Sequence, residues 1–131
     1  MTDHPNAAIA RTALDAFNAG DLTAMLELLD DAVVWHAPGT SRFGGEYDGK
    51  DAVIDRFRRM AEAGVTASFE IHDIVGNDDH VVALVHVTVT GSDGRRYETP
   101  QVQVMHVRDG RCYEYWAMNQ DQAALDVVLG A

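Results

Sequence analysis

The second half of the chain is a succession of strand-like runs, and this feature constrains the fold more than any other. Runs rich in β-branched and aromatic residues alternate with clusters of Gly, Asn, Asp and Ser, which favour tight turns. Because short turns join antiparallel neighbours, the pattern predicts an antiparallel meander. The four runs are Ala67–Val75, His80–Thr90, Arg95–Val107 and Arg111–Asn119, and turn signals separate them at Gly76–Asp79, Gly91–Gly94 and Asp109–Gly110.

The first half of the chain is mostly helical in pattern, with apolar residues at helical spacing. Helices that precede an antiparallel sheet predict an α+β fold with the helices on one face of the sheet. A length of 131 residues predicts a single domain, residues 1–131. The remaining predicted elements are a helix from Pro5 to Ala19, a short helix capped by Asp21, a strand Ala32–His36, a helix from Asp48 or Lys50 to Gly64, and a closing helix Gln120–Leu129.

The acidic composition excludes several kinds of partner. Ten basic and 21 acidic residues give a formal net charge of −11, and a surface this negative repels nucleic acid and anionic membranes. Cys112 is the single cysteine, so no disulfide forms within the chain. Residues 1–5 do not read as a secretory leader and no apolar run is long enough for a membrane span, so we expect a cytoplasmic protein.

Four short motifs resemble signatures of the SnoaL-like and ketosteroid-isomerase-like family. They are Asn18-Ala19-Gly20-Asp21, Trp35-His36-Ala37-Pro38-Gly39, Gly45-Glu46-Tyr47-Asp48-Gly49-Lys50 and Arg108-Asp109-Gly110-Arg111. The resemblance implies the cone-shaped fold of nuclear transport factor 2, in which a curved antiparallel sheet holds the N-terminal helices on its concave face and encloses a pocket. Because relatives often pair through the outer sheet face, it also implies a homodimer.

Positions that carry chemistry in relatives hold different residues here. The resemblance places His36 at the position of the catalytic base. It places Ala13 and Gln103 at the positions of the oxyanion-hole tyrosine and aspartic acid of ketosteroid isomerases. Ala117 falls where epoxide hydrolases and cyclases carry a key aspartate. The family therefore predicts a pocket more specifically than it predicts a reaction.

Strand alternation predicts which side chains face this pocket. If a four-residue turn pairs Thr90 with Arg95, then Leu84 and His86 share the inner face with Gln103. The same alternation places Tyr113 inward and Cys112 outward on the last strand. The predicted apolar wall is Phe17, Trp35 or Val34, Phe57, Met60, Leu84 and Met105, and the predicted polar groups are His36, His86, Gln101, Gln103, Tyr115 and Asn119.

These residues support two hypotheses about function, beside a scaffold dimer with a vestigial cavity. In the first, the protein is a cofactor-independent isomerase, cyclase or dehydratase that moves a proton next to a carbonyl of a small apolar molecule. His36 is the acid/base, His86 is its partner, and Gln103 holds the carbonyl oxygen with Asn119 or Tyr115. In the second, the cavity binds such a molecule without turnover. His36 as a strand-end residue without chemistry, and His86 paired with Glu70, are the structural alternatives.

Two further expectations concern metals and partners. His36 and His86 could approach each other, but the sequence has no His-x-His or His-x-x-x-His pair. Glu70 and His72, two apart on one strand, are a weak candidate pair, so we expect no metal site. The outer sheet face is predicted to carry Trp116 and Met118 with Val102, Val104 and His106, and an apolar face of this kind needs a cover. A second copy of the chain and the closing helix are the two candidates for that cover.

Overall fold

The order of helices and strands follows the predicted α+β pattern, with one strand added. A computed structural model describes residues 3–130. Gly45–Asp48 is a short strand where the sequence predicts only a loop. The elements are α1 (Pro5–Asn18), α2 (Leu22–Glu27), β1 (Leu29–Ala37), β2 (Gly45–Asp48), α3 (Lys50–Glu62), β3 (Thr66–Gly76), β4 (His80–Thr90), β5 (Arg96–Arg108), β6 (Arg111–Asn119) and α4 (Gln122–Leu129).

The strands form one six-stranded sheet in the order β2-β1-β6-β5-β4-β3. The predicted meander of β3 to β6 is confirmed, and each of its neighbouring pairs is antiparallel. The pair of β1 and β6 is parallel, which the prediction of a wholly antiparallel sheet did not include. Trp35 lies beside Tyr115 in this pair, so two aromatic side chains far apart in the chain share one face.

Helix starts follow the expected capping chemistry. Asp21 accepts a hydrogen bond from the backbone N–H of Ala24 at 3.1 Å, and Asp121 accepts one from Ala124 at 3.1 Å. At the other end of α1, Asn18 bonds both the N–H and the C=O of Phe69 with its side chain. This pair of bonds fixes the helix against β3. In the Asn18–Asp21 motif, Asn18 therefore anchors α1 to the sheet and Asp21 caps α2.

The helices pack on the inner face of the sheet. Ala7, Ala10 and Leu14 of α1 are buried against the strands in one large core. A second core joins Leu125 and Leu129 of α4 to inner-face residues of β4. Since α4 lies on the inner side, it does not cover the outer face of the sheet.

The turn between β4 and β5 is one residue longer than predicted. Thr90 pairs with Arg96, so the loop spans residues 91–95. Gly91 packs against the backbone carbonyl of Val128 with no space for a side chain. The extra residue shifts the phase of β4, and its inner face carries Val81, Ala83, Val85, Val87 and Val89, all buried. Leu84 and His86 therefore lie on the outer face, and the prediction that they face inward is wrong.

A β-bulge corrects the prediction for the start of β6. His106 pairs with Glu114, but the next residue, Val107, pairs with Cys112. The residue passed over, Tyr113, packs against His106 on the outer face, with 5.5 Å between ring centroids. The bulge therefore turns Cys112 inward and Tyr113 outward, the reverse of the strict alternation predicted from the sequence.

Candidate functional site

A cavity of about 140 Å³ lies between the inner sheet face and the helices. Its walls are mostly apolar, and its polar groups are few. The lining comprises Ile9, Ala10, Ala13, Leu14, Phe17, Met25, Leu28, Leu29, Trp35, Ala37, Pro38, Arg56, Phe57, Met60, Ala67, Phe69, Val87, Val89, Gln101, Gln103, Met105, Val107, Cys112, Tyr115, Ala117, Asn119, Gln122, Leu125 and Leu129.

Small side chains in one row of the sheet make room for this cavity. Ala117 pairs with Gln103, which in turn pairs with Ala83. Ala37 extends the row on β1, one residue beyond the pair of His36 and Trp116. The neighbouring row carries the large side chains of Trp35, Tyr115 and Met105. A row of alanines beside a row of bulky residues leaves a hollow that the helices then cover.

Aromatic rings form one wall of the cavity. Trp35 stacks on Tyr115 with 3.7 Å between ring centroids, and the edge of Phe57 meets Trp35 at 5.7 Å. Phe17 joins the group from α1, at 5.8 Å from Phe57 and 5.2 Å from Phe69. This wall suits a flat apolar molecule, because offset and edge contacts between rings are favourable.

A chain of amide side chains forms the polar end. The Nε2 of Gln103 donates to Gln101 at 2.8 Å, and the Nε2 of Gln101 donates to Asn119 at 2.9 Å. Asn119 donates to Gln122 at 2.7 Å, and Gln122 donates to the carboxylate of Asp126 at 2.9 Å. Gln101 and Gln103 are buried, so the chain links the cavity to α4 without help from solvent.

Asp126 anchors this chain at its far end. Its carboxylate also accepts the backbone N–H of Thr40 at 2.9 Å. Gly39, with a φ of 92°, leaves the space in which the carboxylate and Gln122 meet, where any side chain would collide with both. Burial acts to raise the pKa of Asp126, but hydrogen bonds from Thr40, Gln122 and Ser41 together outweigh it and hold the pKa below its ordinary value.

Among residues 3–130, Arg56 is the one basic residue that lines the cavity. Its Nε donates to the backbone carbonyl of Phe43 at 2.9 Å, and its guanidinium lies 5.7 Å from the ring centroids of Tyr47 and of Phe57. The sequence predicts Phe57, its neighbour, as the inward residue of this turn and gives Arg56 no role. Arg56 lies at the edge of the apolar stripe of α3, and the hydrophobic pattern of a helix does not indicate that a long polar side chain at its edge reaches inward.

Neither of the other titratable lining groups is a base at neutral pH. Burial raises the pKa of the Cys112 thiol to about 12, which keeps it protonated. Burial also raises the pKa of Tyr115 above its ordinary value, although the charge of Arg56 acts in the opposite direction. Tyr115 is therefore a neutral hydrogen-bond donor, and Cys112 is a small, inert wall residue.

The structure brings together most, though not all, of the predicted site residues. It places nine predicted residues in the cavity wall and adds Arg56 and Gln122, which the sequence reading missed. Gln122 was assigned only to the closing helix, without a role. The nine are Phe17, Trp35, Phe57, Met60, Gln101, Gln103, Met105, Tyr115 and Asn119.

His36 lies outside the cavity, so the predicted position of this residue is wrong. Trp35 and Ala37 point inward, and alternation along β1 turns His36 outward. There its Nε2 lies 2.9 Å from Glu114 and its Nδ1 lies 3.5 Å from Glu46, while its ring stacks on Trp116. His86 lies on the outer face of β4, where it is the cross-strand neighbour of Glu70 and its Nε2 is 3.9 Å from Glu98.

Two further observations concern metals and membranes. Within residues 3–130, no group of three or more His, Cys, Asp and Glu side chains is arranged to hold a metal ion. Of the helices in the described part of the chain, none combines the length and the apolar character needed to cross a bilayer.

A curved sheet that holds helices over an apolar cavity defines the class of nuclear-transport-factor-2-like proteins, as solved structures of similar fold bear out. Residues 10–115 match the model of the SnoaL-like domain, and the chain belongs to the SnoaL-like family. A search of curated proteins finds no match.

Solved structures of similar fold cover nearly the whole chain. Bal32a, from a soil-derived mobile gene cassette, is 29% identical with a TM-score of 0.86, over 95% of this chain and 96% of its own. An NTF2-like protein from Burkholderia pseudomallei K96243 is 23% identical with a TM-score of 0.87, over 98% and 99%. An LEH-like epoxide hydrolase of M. tuberculosis is 19% identical with a TM-score of 0.76, over 93% and 85%.

Proposed function

We propose that this protein binds a small, mostly apolar organic molecule in its internal cavity and does so without turnover. The observation that carries the proposal is the apolar, aromatic-walled cavity that ends in an oriented chain of amides. Cavities of this composition are typical of small-molecule sites, where a few polar groups fix the orientation of the ligand. A volume of about 140 Å³ suits a ligand of one or two rings.

The direction of the amide chain supports a ligand that carries a hydroxyl group. A carboxylate only accepts hydrogen bonds, so Gln122 must point its side-chain nitrogen toward Asp126. Each following amide takes the same direction, and Gln103 is left with an oxygen that has no partner among residues 3–130. A hydroxyl or enol donor on the ligand satisfies that oxygen. Beside the expected role of Gln103 as a donor, for which its second N–H remains, the direction of these bonds supports a role for its oxygen as an acceptor.

The lining favours binding over acid–base catalysis. Proton transfer next to a carbonyl needs a base whose pKa lies near the working pH. No imidazole or carboxylate is among the lining residues of the described chain, and Cys112 and Tyr115 are held protonated. Since His36 lies on the other side of the sheet, its position lends no support to the isomerase, cyclase or dehydratase hypothesis.

The test is calorimetric titration with 2-naphthol, which combines a flat apolar body with one hydroxyl donor. Ala117→Phe places a ring in the floor of the cavity, and we expect at least a tenfold loss of affinity. Met118→Phe is the matched control: it adds bulk at the next residue of β6, which points to the outer face, and we expect unchanged affinity. No detectable binding by the wild type, or equal binding by Ala117→Phe, contradicts the proposal.

We also propose that two copies of the chain associate through the outer sheet face. Its centre is apolar, with Val102, Val104 and Trp116, and Met118 is 51% exposed beside them. Helix α4, the alternative cover, packs on the inner side instead. A face of this kind is stabilised when a partner removes it from water.

A further inference from the structure

Arg56 is a cation at the wall of an apolar cavity with no anion beside it. The residues around its guanidinium are the carbonyl of Phe43 and the rings of Tyr47 and Phe57. None of these carries a negative charge. Within residues 3–130, no carboxylate lies within ion-pair distance of Arg56, although acidic residues outnumber basic ones by 21 to ten in the whole chain.

The neighbouring arginines of α3 do have carboxylate partners, so the lack of an anion is particular to the position of Arg56. Arg58 and Arg59 follow on the same helix, and both pair with Asp55, with Glu62 as a second partner of Arg58. These pairs lie on the solvent side of α3. Arg56 alone of the three reaches the cavity. Asp55 and Glu62, the carboxylates of α3 that pair with arginines, are occupied by the other two.

The Arg56 side chain is also held in place before any ligand arrives. Its Nε donates to Phe43 at 2.9 Å. The Tyr47 hydroxyl is already engaged, since it donates to the same carbonyl at 3.0 Å and accepts from Arg59 at 3.1 Å. Tyr47 also lies within hydrogen-bonding reach of the Arg56 guanidinium, so the Nη donors that Tyr47 leaves unused are those with which the guanidinium can meet a ligand. A pre-positioned donor binds with less loss of side-chain entropy.

The energetics of burial point in the same direction. Burial lowers the pKa of Arg56 from its ordinary value, which means that the charged form is poorly solvated where it sits. An arginine keeps its charge even so. A negatively charged oxygen beside the guanidinium would compensate for the lost solvation, and Tyr115, a neutral hydroxyl whose pKa responds to Arg56, supplies a second donor nearby.

From this arrangement we infer that the ligand is a small organic anion, a carboxylate or an ionised enol or phenol, whose charged oxygen binds the guanidinium of Arg56. The inference rests on the proposed function, because it names the ligand class of the same cavity. A hydroxyl at Gln103 and an anionic oxygen at Arg56 together describe a flat hydroxy acid or an acidic enol.

The test compares 2-naphthoate with its neutral isostere 2-naphthamide by titration calorimetry at pH 7. We expect the wild type to bind 2-naphthoate at least tenfold more tightly. Arg56→Gln should remove this preference while affinity for 2-naphthamide stays within threefold. Arg58→Gln, on the same helix but in solvent, is the matched control and should keep the preference.

The outcomes separate this inference from the proposed function. If the wild type binds 2-naphthol but prefers 2-naphthamide or shows no preference, the anionic ligand is refuted and the cavity proposal stands. If the wild type shows no binding of 2-naphthol, the proposed function itself fails, whatever the result with the other two compounds. Should Arg56→Gln not fold, Arg56→Lys takes its place, and this variant should retain part of the preference because it keeps the charge.

Discussion

The family resemblance assigns His36 to a catalytic base position, yet its contacts are those of a structural residue. Glu114 lies between two histidines, with its carboxylate 2.9 Å from His36 and 3.3 Å from His106. Trp116 stacks on the ring of His36 and meets His106 edge-on at 5.0 Å. The cluster joins β1, β5 and β6 on the outer face, so its residues contribute to the sheet and not to the cavity.

Removal of the His36 side chain should therefore affect stability without affecting binding. Loss of the hydrogen bond to a half-buried carboxylate is expected to lower the free energy of unfolding of His36→Ala by about 1–2 kcal/mol. Affinity for 2-naphthol should match that of the wild type, because the residue is not part of the cavity wall. Denaturant unfolding and titration calorimetry measure the two quantities. A tenfold loss of affinity with unchanged stability would restore the catalytic-site reading of His36.

At the scale of elements, the amide chain couples β5 and β6 to α4 and to the loop after β1. Every link is a side-chain hydrogen bond, and Asp126 is the one charged member. The folded pKa of this carboxyl lies below its ordinary value. Its contribution to the free energy of unfolding is therefore complete above an unfolded pKa of about 4 and is lost as the pH falls through the folded pKa.

This sign gives a prediction for Asp126→Asn. At pH 7 the free energy of unfolding of the variant should be about 1–2 kcal/mol lower than that of the wild type. The reason is that hydrogen bonds to a charged acceptor are stronger than those to a neutral one. Below pH 4 the difference should narrow, and it should vanish once the pH lies below the folded pKa, where the wild-type carboxyl is neutral as well. Denaturant titrations at pH 7, 5 and 3 measure the difference, and a gap that stays constant down to pH 3 would contradict the assigned role of Asp126.

The sequence largely predicts which helices and strands form. It predicts less well which side chains of each strand lie on the inner face of the sheet. The bounds of β4 and β6 match the sequence reading because β-branched runs end at clear turn signals. The inner faces of β5 and of most of β6 were also predicted. The phase of β4 depends on one extra loop residue, Arg95, and that of Cys112 on a single bulge. Neither the extra loop residue nor the bulge can be recognised from the amino-acid composition. A shift of one residue moves every side chain of the strand to the opposite face of the sheet.

The site shows the same division. Gln101, Gln103, Tyr115 and Asn119 follow from alternation within strands, so they were found. Arg56 and Gln122 reach the cavity from helices, where the orientation of a long polar side chain depends on how the helix is tilted over the sheet. The family resemblance points His36 into the pocket, whereas the inward alternation of Trp35 and Ala37 turns it to the outer face.

For the whole molecule, the outer face of the sheet predicts the state of assembly. Met118→Glu places a charge in the proposed interface and should convert a dimer into a monomer in sedimentation velocity. Val127→Glu is the control, because Val127 is similarly exposed, at 53%, but lies on α4, away from that face. It should remain a dimer. A monomeric wild type at micromolar concentration would refute the association.

The parallel pair of β1 and β6 has a consequence for how the protein is made. Trp35 finds its neighbour Tyr115 only after 80 further residues have left the ribosome, since the two lie that far apart in the chain. Until then β1 has no strand on that side, and the aromatic wall of the cavity is incomplete. Contacts of such long sequence separation slow folding and leave apolar strands exposed in the nascent chain. The aromatic wall of the cavity is therefore complete only after β6 has been made, and β1 lacks its parallel neighbour for most of the synthesis of the chain.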